Sequence, residues 1–348
     1  VTVAVPVEQI DPRQAAAFDE WFAVVHAIDD ERWPDQPGWL RVERLAMALD
    51  EDGPEEHRLL VARHRGRADG GRAIGCADIE LYRRENLQLA RIDIRVLPEH
   101  RRQGVGSALL RAIEQIAAAA GRSELGGLDE TPVRPGDGAP YEDAAGPFAR
   151  ARGFTCIQRL IRRQLLLPLD PDHARALADS PKAHPPGYTM RTFFDRWPDE
   201  LVDDRCELGR RMSTDVPMGD QELDEEVWDA ARVRQIESSF VAQNRAKVIT
   251  VALDNDDGRA VGFTEIAVPL GAPESVWQHD TLVMREHRGH GLGFALKVAN
   301  LIALAGEYPQ ARRMSTWNAA ENAHMIAVNE EMGFEVASRS SSWLKQLP

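Results

Sequence analysis

"MREHRGHGLGFALK", residues 284–297, is the stretch on which the reading of this chain turns. Gly289, Gly291 and Gly293, with the basic Arg285, Arg288 and Lys297, surround two histidines between a strand-like run and a helix-like run. Glycines let a backbone turn sharply and present successive N–H groups. A helix N-terminus adds the positive end of its dipole, and an arginine adds a full charge. Such a loop suits phosphate. A Walker loop requires Gly-Lys-Ser/Thr after four spacers, which is missing, and a dinucleotide loop requires a third glycine where Leu296 stands. The pattern left is R-x-x-G-x-G, carried by Arg288, Gly291 and Gly293, and it fits a pyrophosphate.

The same pattern occurs earlier, in "LPEHRRQGVGSALL", residues 97–110, as Arg101, Gly104 and Gly106. Gly104 and Gly291 lie 187 residues apart, as do "GRAIGCADIEL" from Gly71 and "GRAVGFTEIAV" from Gly258. Two blocks in one ungapped register mark two copies of one fold, each of about 165 residues, not a solenoid of short repeats. In each copy a starting strand leads to helical segments. Three strands follow, then the glycine loop, an amphipathic helix, a further strand, a helix and a closing strand. Val105, Leu109, Ala112 and Ile116 share a face of the first loop helix, and Leu292, Leu296, Ala299 and Ile302 a face of its twin. The proline-rich "PLDPDHARALADSPKAHPPGY", residues 168–188, reads as the connection. The expected division is a first domain at 1–170, a linker at 171–186 and a second domain at 187–348.

With 348 residues, 43% hydrophobic content and a formal charge of −14, the chain reads as a soluble protein with full cores. Nucleic acid is not an expected partner, because neutralising phosphates needs a basic face. No membrane segment or secretory leader is expected. Cys76, Cys156 and Cys206 are odd in number and widely spaced, which argues against a disulfide framework or a metal site and suits a reducing cytoplasm.

Taken twice, each time between a strand and an amphipathic helix, the glycine loop resembles that of the GNAT superfamily of acetyl-CoA-dependent N-acetyltransferases. "LVMREHRGHGLG" resembles its fourth strand and pyrophosphate loop, and "NAHMIAVNEEMGF" the helix that follows. The resemblance implies two tandem α/β domains of α+β type. Each is a mixed, mostly antiparallel twisted sheet flanked by helices, with a splayed strand 4/strand 5 pair. It implies acetyl-CoA as acyl donor, held by the backbone of Val283 and Met284 and by Arg288, Gly289, His290, Gly291, Leu292 and Gly293. Asn322, eleven residues before the closing Gly-Phe, inherits a cofactor contact, and Asn318 is a second candidate. In the first copy the corresponding loop is Arg101, Arg102, Gln103, Gly104, Val105 and Gly106. There Glu142 stands where Asn322 does, and a carboxylate beside a polyphosphate is unfavourable. The second copy is therefore expected to do the chemistry, with the first catalytically degenerate.

Amine acetylation needs a neutral amine, stabilisation of the oxyanion and a proton for the leaving thiolate. The Met284 N–H is the expected oxyanion donor. For the base, the fourth strand offers His279, and Glu265 on its neighbour is the second candidate; Asp280 points away unless a bulge intervenes. The tyrosine that the family often uses as acid, four residues before Gly-Phe, is Asn329 here and Ala149 in the first copy. Residues 198–230 hold twelve acidic and three basic side chains, beside Trp228. If part of that charge lines the cleft, the acceptor is a small amine carrying positive charge elsewhere. The expectation is direct transfer in a ternary complex, by a monomer or homodimer. The alternatives are a mycothiol-synthase-like tandem enzyme acting on an amino sugar, and a non-catalytic CoA-binding sensor or scaffold.

Overall fold

Near-continuous apolar runs build the central strands, buried on both faces, and helices alternate with the strands in two successive rounds. The computed structural model describes residues 5–64, 71–133, 145–215 and 223–348. The first round runs β1 (Val7–Ile10), α1 (Ala15–Arg32), α2 (Arg41–Leu49), β2 (Glu55–Arg63), β3 (Ala73–Tyr82), β4 (Leu89–Val96), α3 (Val105–Ala119), β5 (Glu124–Pro132), α4 (Ala145–Ala151) and β6 (Thr155–Leu166). The second runs α5 (Pro171–Ala178), β7 (Tyr188–Phe194), α6 (Val202–Asp215), α7 (Ala230–Ala242), β8 (Arg245–Asp254), β9 (Ala260–Pro269), β10 (Ser275–Val283), α8 (Leu292–Glu307), β11 (Arg313–Ala319), α9 (Ala323–Glu331) and β12 (Glu335–Gln346). The expected first strand at residues 2–7 shifts to β1, and residues 1–4 lie outside the described residues.

The chain divides into two units, but not at a linker. The first unit holds residues 1–132, 140–157 and 340–348, and the second holds 133–139 and 158–339. These compact units differ from the expected division at 1–170, 171–186 and 187–348. Most of β6, written at the end of the first copy, belongs to the second unit, and residues 340–348 complete the first. Residues 171–186 are no linker either. Leu177 of α5 and Ala183 are buried in the second unit's main core, with Leu165, Val248, Val298 and Met314. The prolines of this stretch start helical turns at Pro171 and Pro181, where a missing N–H costs nothing.

Within the first unit the strand order is β1-β2-β3-β4-β5, followed by the end of β12. Within the second it is β7-β8-β9-β10-β11-β6. The pairs β1–β2, β2–β3, β3–β4, β7–β8, β8–β9, β9–β10 and β6–β11 run antiparallel, and β4–β5 and β10–β11 run parallel. In the second unit, α8 packs Phe294, Val298, Leu301 and Leu304 against Val248, Ile266, Val276 and Met314 on one sheet face. On the other face, Trp197, Leu208 and Val233 cover Ile249, Phe263 and Leu282. Each such aliphatic side chain, fully buried, contributes about 1.5–3 kcal/mol. Ile302, expected on the buried face of α8, is 56% exposed. The stripe instead runs through Leu301 and Leu304, following the sheet's twist.

Candidate active site

The two copies differ where their parallel strands part. In the first unit, β4 and β5 stay paired from Leu89 through Ile92. In the second, β10 and β11 are paired only from Ser275 to Trp277. At the repeat's offset of 187 residues, the first copy's pairing continues to the position of His279. The V between the strands therefore opens two residues earlier in the second unit. Trp277 and Trp317 stack where it opens, with ring centroids 5.3 Å apart and planes at 16°. The buried Arg162 guanidinium covers both rings at 5.5 and 5.2 Å and donates to Ser315 Oγ at 3.0 Å.

A bulge makes the second difference. β3 and β4 pair without interruption, but the β9–β10 register shifts between Gln278 and Thr281. His279 and Asp280 together stand opposite Glu265, two residues against one. Gln278 secures the kink by donating to Thr264 Oγ1 and to the Glu265 carbonyl, both at 2.9 Å. Both bulge side chains keep solvent-accessible atoms although protein atoms crowd around them. Burial, then the charges of Lys247 and Arg245, lower the His279 pKa to about 4, so its ring is neutral at physiological pH. Burial, then the Glu265 charge, raises the pKa of Asp280. The Phe240 ring meets His279 edge-on at 6.0 Å.

Glu265 is not available as a base. It is 5% exposed, accepts from Lys247 Nζ at 3.0 Å and from Trp197 Nε1 at 3.1 Å, and lies 3.9 Å from Arg205 Nε. Burial disfavours its charge, but Lys247 and Arg205 outweigh that and hold its pKa down at about 2. The first unit repeats the device. Asp78, 187 residues earlier, binds Arg44 at 2.5 Å and His57 at 3.0 Å. A buried carboxylate on the third strand, clamped by a cation from the second strand and an arginine from the helices, belongs to the fold. Removing one partner of such a pair costs about 3–5 kcal/mol. His57, Asp78 and Glu80 also lie within metal-ligand spacing, but the Arg44 guanidinium already supplies the positive charge there.

Met284 is corrected as well. Its N–H donates to the Val261 carbonyl at 2.9 Å, closing the ladder, so it is not free for an oxyanion. Arg288 Nε donates to the Val283 carbonyl at 3.0 Å, which pins the loop to the strand. Gly289 and Gly291 take φ of +87° and +77°, the left-handed region, and α8 begins at Leu292. Its first residues, Leu292 and Gly293, carry N–H groups for which helix geometry supplies no intrahelical acceptor. A Cβ at Gly293 would come no closer than 3.9 Å to Met325 Sδ, so packing does not demand glycine there. In the first copy Arg101 makes the matching bond to Val96 at 3.1 Å, but its guanidinium is also bound by Glu31, and Arg102 adopts φ +63° where the second copy has Gly289. Gln103 turns back to the Glu99 carbonyl, and Gly104 leads into α3 at Val105 and Gly106.

Other expected residues are placed as follows. Asn322 caps α9, accepting from the Met325 N–H at 3.2 Å. His287 bonds the Tyr188 hydroxyl at 3.0 Å, and the His290 ring lies 5.6 Å from the Tyr188 ring. Glu142 lies outside the described residues. Among the described acidic residues of that stretch, Asp199 pairs with Arg234, Glu207 with Arg211 and Asp204 with Arg259, and Asp229 caps α7. Trp228 sandwiches Arg205 and Arg232 at 4.2 and 4.8 Å, a structural stack and not a cleft wall.

A mixed sheet whose parallel strands part beside a glycine loop and a helix N-terminus defines a fold of acyl-group transfer. The sequence profile of the Acetyltransferase (GNAT) family matches residues 18–132 and 213–334, and the chain belongs to that family. It is similar over 99% of both chains to a tandem GNAT protein from the clavulanic acid biosynthesis pathway, with 26% identity and a TM-score of 0.78. It shares the fold of a GCN5-related N-acetyltransferase from Sphaerobacter thermophilus at 19% identity and TM-score 0.65, over 99% of this chain and 96% of that one. No curated protein sequence matches it. Among the described residues no helix is long and apolar enough to cross a membrane.

Proposed function

We propose that the protein is an acetyl-CoA-dependent N-acetyltransferase whose second unit carries the reaction, in a cytoplasmic setting that keeps its three cysteines reduced. The observation that supports this most is the earlier-opening V of β10 and β11, which ends on the loop Arg288 to Gly293. The pantetheine arm lies in that opening, with the pyrophosphate over the amides of Gly289 to Gly293. Gly293 is then kept small for the approach of a ligand, since no protein atom requires it.

The acceptor enters on the sheet face of Lys247, Glu265 and Trp277. Asp280 serves as its base: burial and the Glu265 charge raise its proton affinity, whereas burial depresses that of the His279 imidazole. His279, neutral and beside it, orients the amine. The acceptor is a small amine; the case for positive charge elsewhere on it now rests on Asp280, not on the acidic stretch. The spent Met284 N–H favours a second reading, a CoA-binding sensor without turnover. Calorimetry with acetyl-CoA, followed by thiol release against a panel of amines, separates the two. Gly291→Glu should abolish binding and turnover, while Gly104→Glu leaves turnover intact. The opposite pattern would move the site to the first unit, and binding with no turnover on any amine would favour the sensor.

A further inference from the structure

Lys297 is an expensive residue to bury. It sits in α8 at 1% exposure, and its neighbours include the Phe334 ring, 5.6 Å away. Desolvation alone, with no acidic partner offsetting it, lowers its pKa to about 7. Its ammonium donates to Asn329 Oδ1 at 2.8 Å, and Asn329, itself fully buried, donates from Nδ2 to Asn318 Oδ1 at 2.6 Å. The first unit shows that the fold does not need this chain. The residue at the register of Lys297 is Leu110, and the residue four before the closing Gly-Phe, where Asn329 stands, is Ala149. Both pack in an ordinary apolar core.

The chain has a direction. The Lys297 amine donates to Asn329 Oδ1, so Asn329 turns its oxygen toward Lys297 and its nitrogen outward. Asn318 must then accept with its oxygen, which leaves its own Nδ2 as the outer end. Amide orientation, otherwise ambiguous, is set here by the donation from the buried amine. Asn318 is half-buried, three residues beyond the last parallel pair of β11, on the part of the strand that has swung away from β10. Among the described residues its Nδ2 has no acceptor.

We propose that Lys297, Asn329 and Asn318 form an oriented donor chain whose outer N–H, on Asn318, hydrogen-bonds the thioester carbonyl of acetyl-CoA and steadies the charge that develops there. Asn318 is then a catalytic residue, and Asn329 and Lys297 are positioning residues. The proposal rests on the acetyl-CoA reading above, and it supplies the donor that the Met284 N–H does not.

Isotope-edited infrared spectroscopy of carbonyl-labelled acetyl-CoA bound to the full chain tests it without knowledge of the acceptor. The bound carbonyl should absorb at lower frequency than in water. Asn318→Ala should abolish the shift, and Lys297→Leu and Asn329→Ala should each weaken it. Those two changes install the first unit's own residues, so the fold should accept them. With an accepted amine, Asn318→Ala should lower kcat about 100-fold at little change in KM, the usual effect of losing one oxyanion donor. A carbonyl shift that persists unchanged in Asn318→Ala, or in both Lys297→Leu and Asn329→Ala, overturns the proposal while leaving the cofactor reading intact. Failure of the unaltered protein to bind acetyl-CoA by calorimetry overturns both.

Discussion

Lys297 and Glu265 are both buried and ionisable, yet their surroundings push them in opposite directions. Glu265 is met by two cations and stays charged, whereas Lys297 is met by one amide and is held near neutrality. The lysine therefore carries a pH signature. Its pKa is 10.5 when unperturbed and about 7 when folded, so between those values the unfolded chain binds a proton that the folded chain lacks. Stability should rise with pH across that window by up to about 1.4 kcal/mol per unit from this group. Lys297→Leu lacks the term, so the variant should exceed the natural protein most in neutral solution and lose that advantage toward pH 10. Urea unfolding of both proteins at a series of pH values measures the difference; a constant gap would mean that Lys297 titrates normally. None of this is legible in the sequence, where a lysine six residues into an amphipathic helix reads as solvated. Burial depends on α9 and the Gly-Phe strand closing over it.

At the scale of elements, periodicity and the 187-residue offset are enough to place the strands, the loop and α8. The bulge is a different matter. A bulge is a relation between two strands, and the sequence of β10 alone gives His279 and Asp280 opposite faces. The partner decides it: Gln278 bonds to β9 and slips the register by one residue. Deleting Asp280 should restore a plain ladder, with His279 alone opposite Glu265 and every other pair kept. The shortened protein should bind acetyl-CoA but lose about 100-fold or more in turnover, the typical worth of a positioned base. Calorimetry and thiol release on the same preparation check both halves of this expectation. The identity of the charge clamp is another property of pairing. Glu265 looks like a candidate base on its strand and becomes a fixed ion pair only when β8 brings Lys247 beside it.

For the whole molecule, the repeat count is readable from the sequence and the domain boundaries are not. Two copies in tandem suggest a cut near the prolines, but the closing strands have changed places, and nothing in the local composition of β6 or β12 says which unit will take them. Asp129, 4% exposed, accepts from the Ser341 N–H at 2.9 Å and from Trp343 Nε1 at 3.0 Å, and Trp343 is buried with Leu125 and Phe154. A chain ending at Arg339 strips Asp129 of those two donors and empties the place of Trp343. The loss of the tryptophan alone costs about 3–5 kcal/mol. Hydrogen exchange should accelerate in β2 and β3 of the first unit and stay slow in β8 and β9 of the second. Equal protection in both would show that the last nine residues are dispensable.

The placement of those nine residues also sets an order of events at the ribosome. Domains usually fold in the order in which they emerge. Here residues 1–157 are translated first, yet their sheet lacks its closing strand until residues 340–348 have followed residues 158–339. The half that begins first must finish last, holding an open sheet edge through the synthesis of its twin. A cut between the copies therefore leaves both units incomplete.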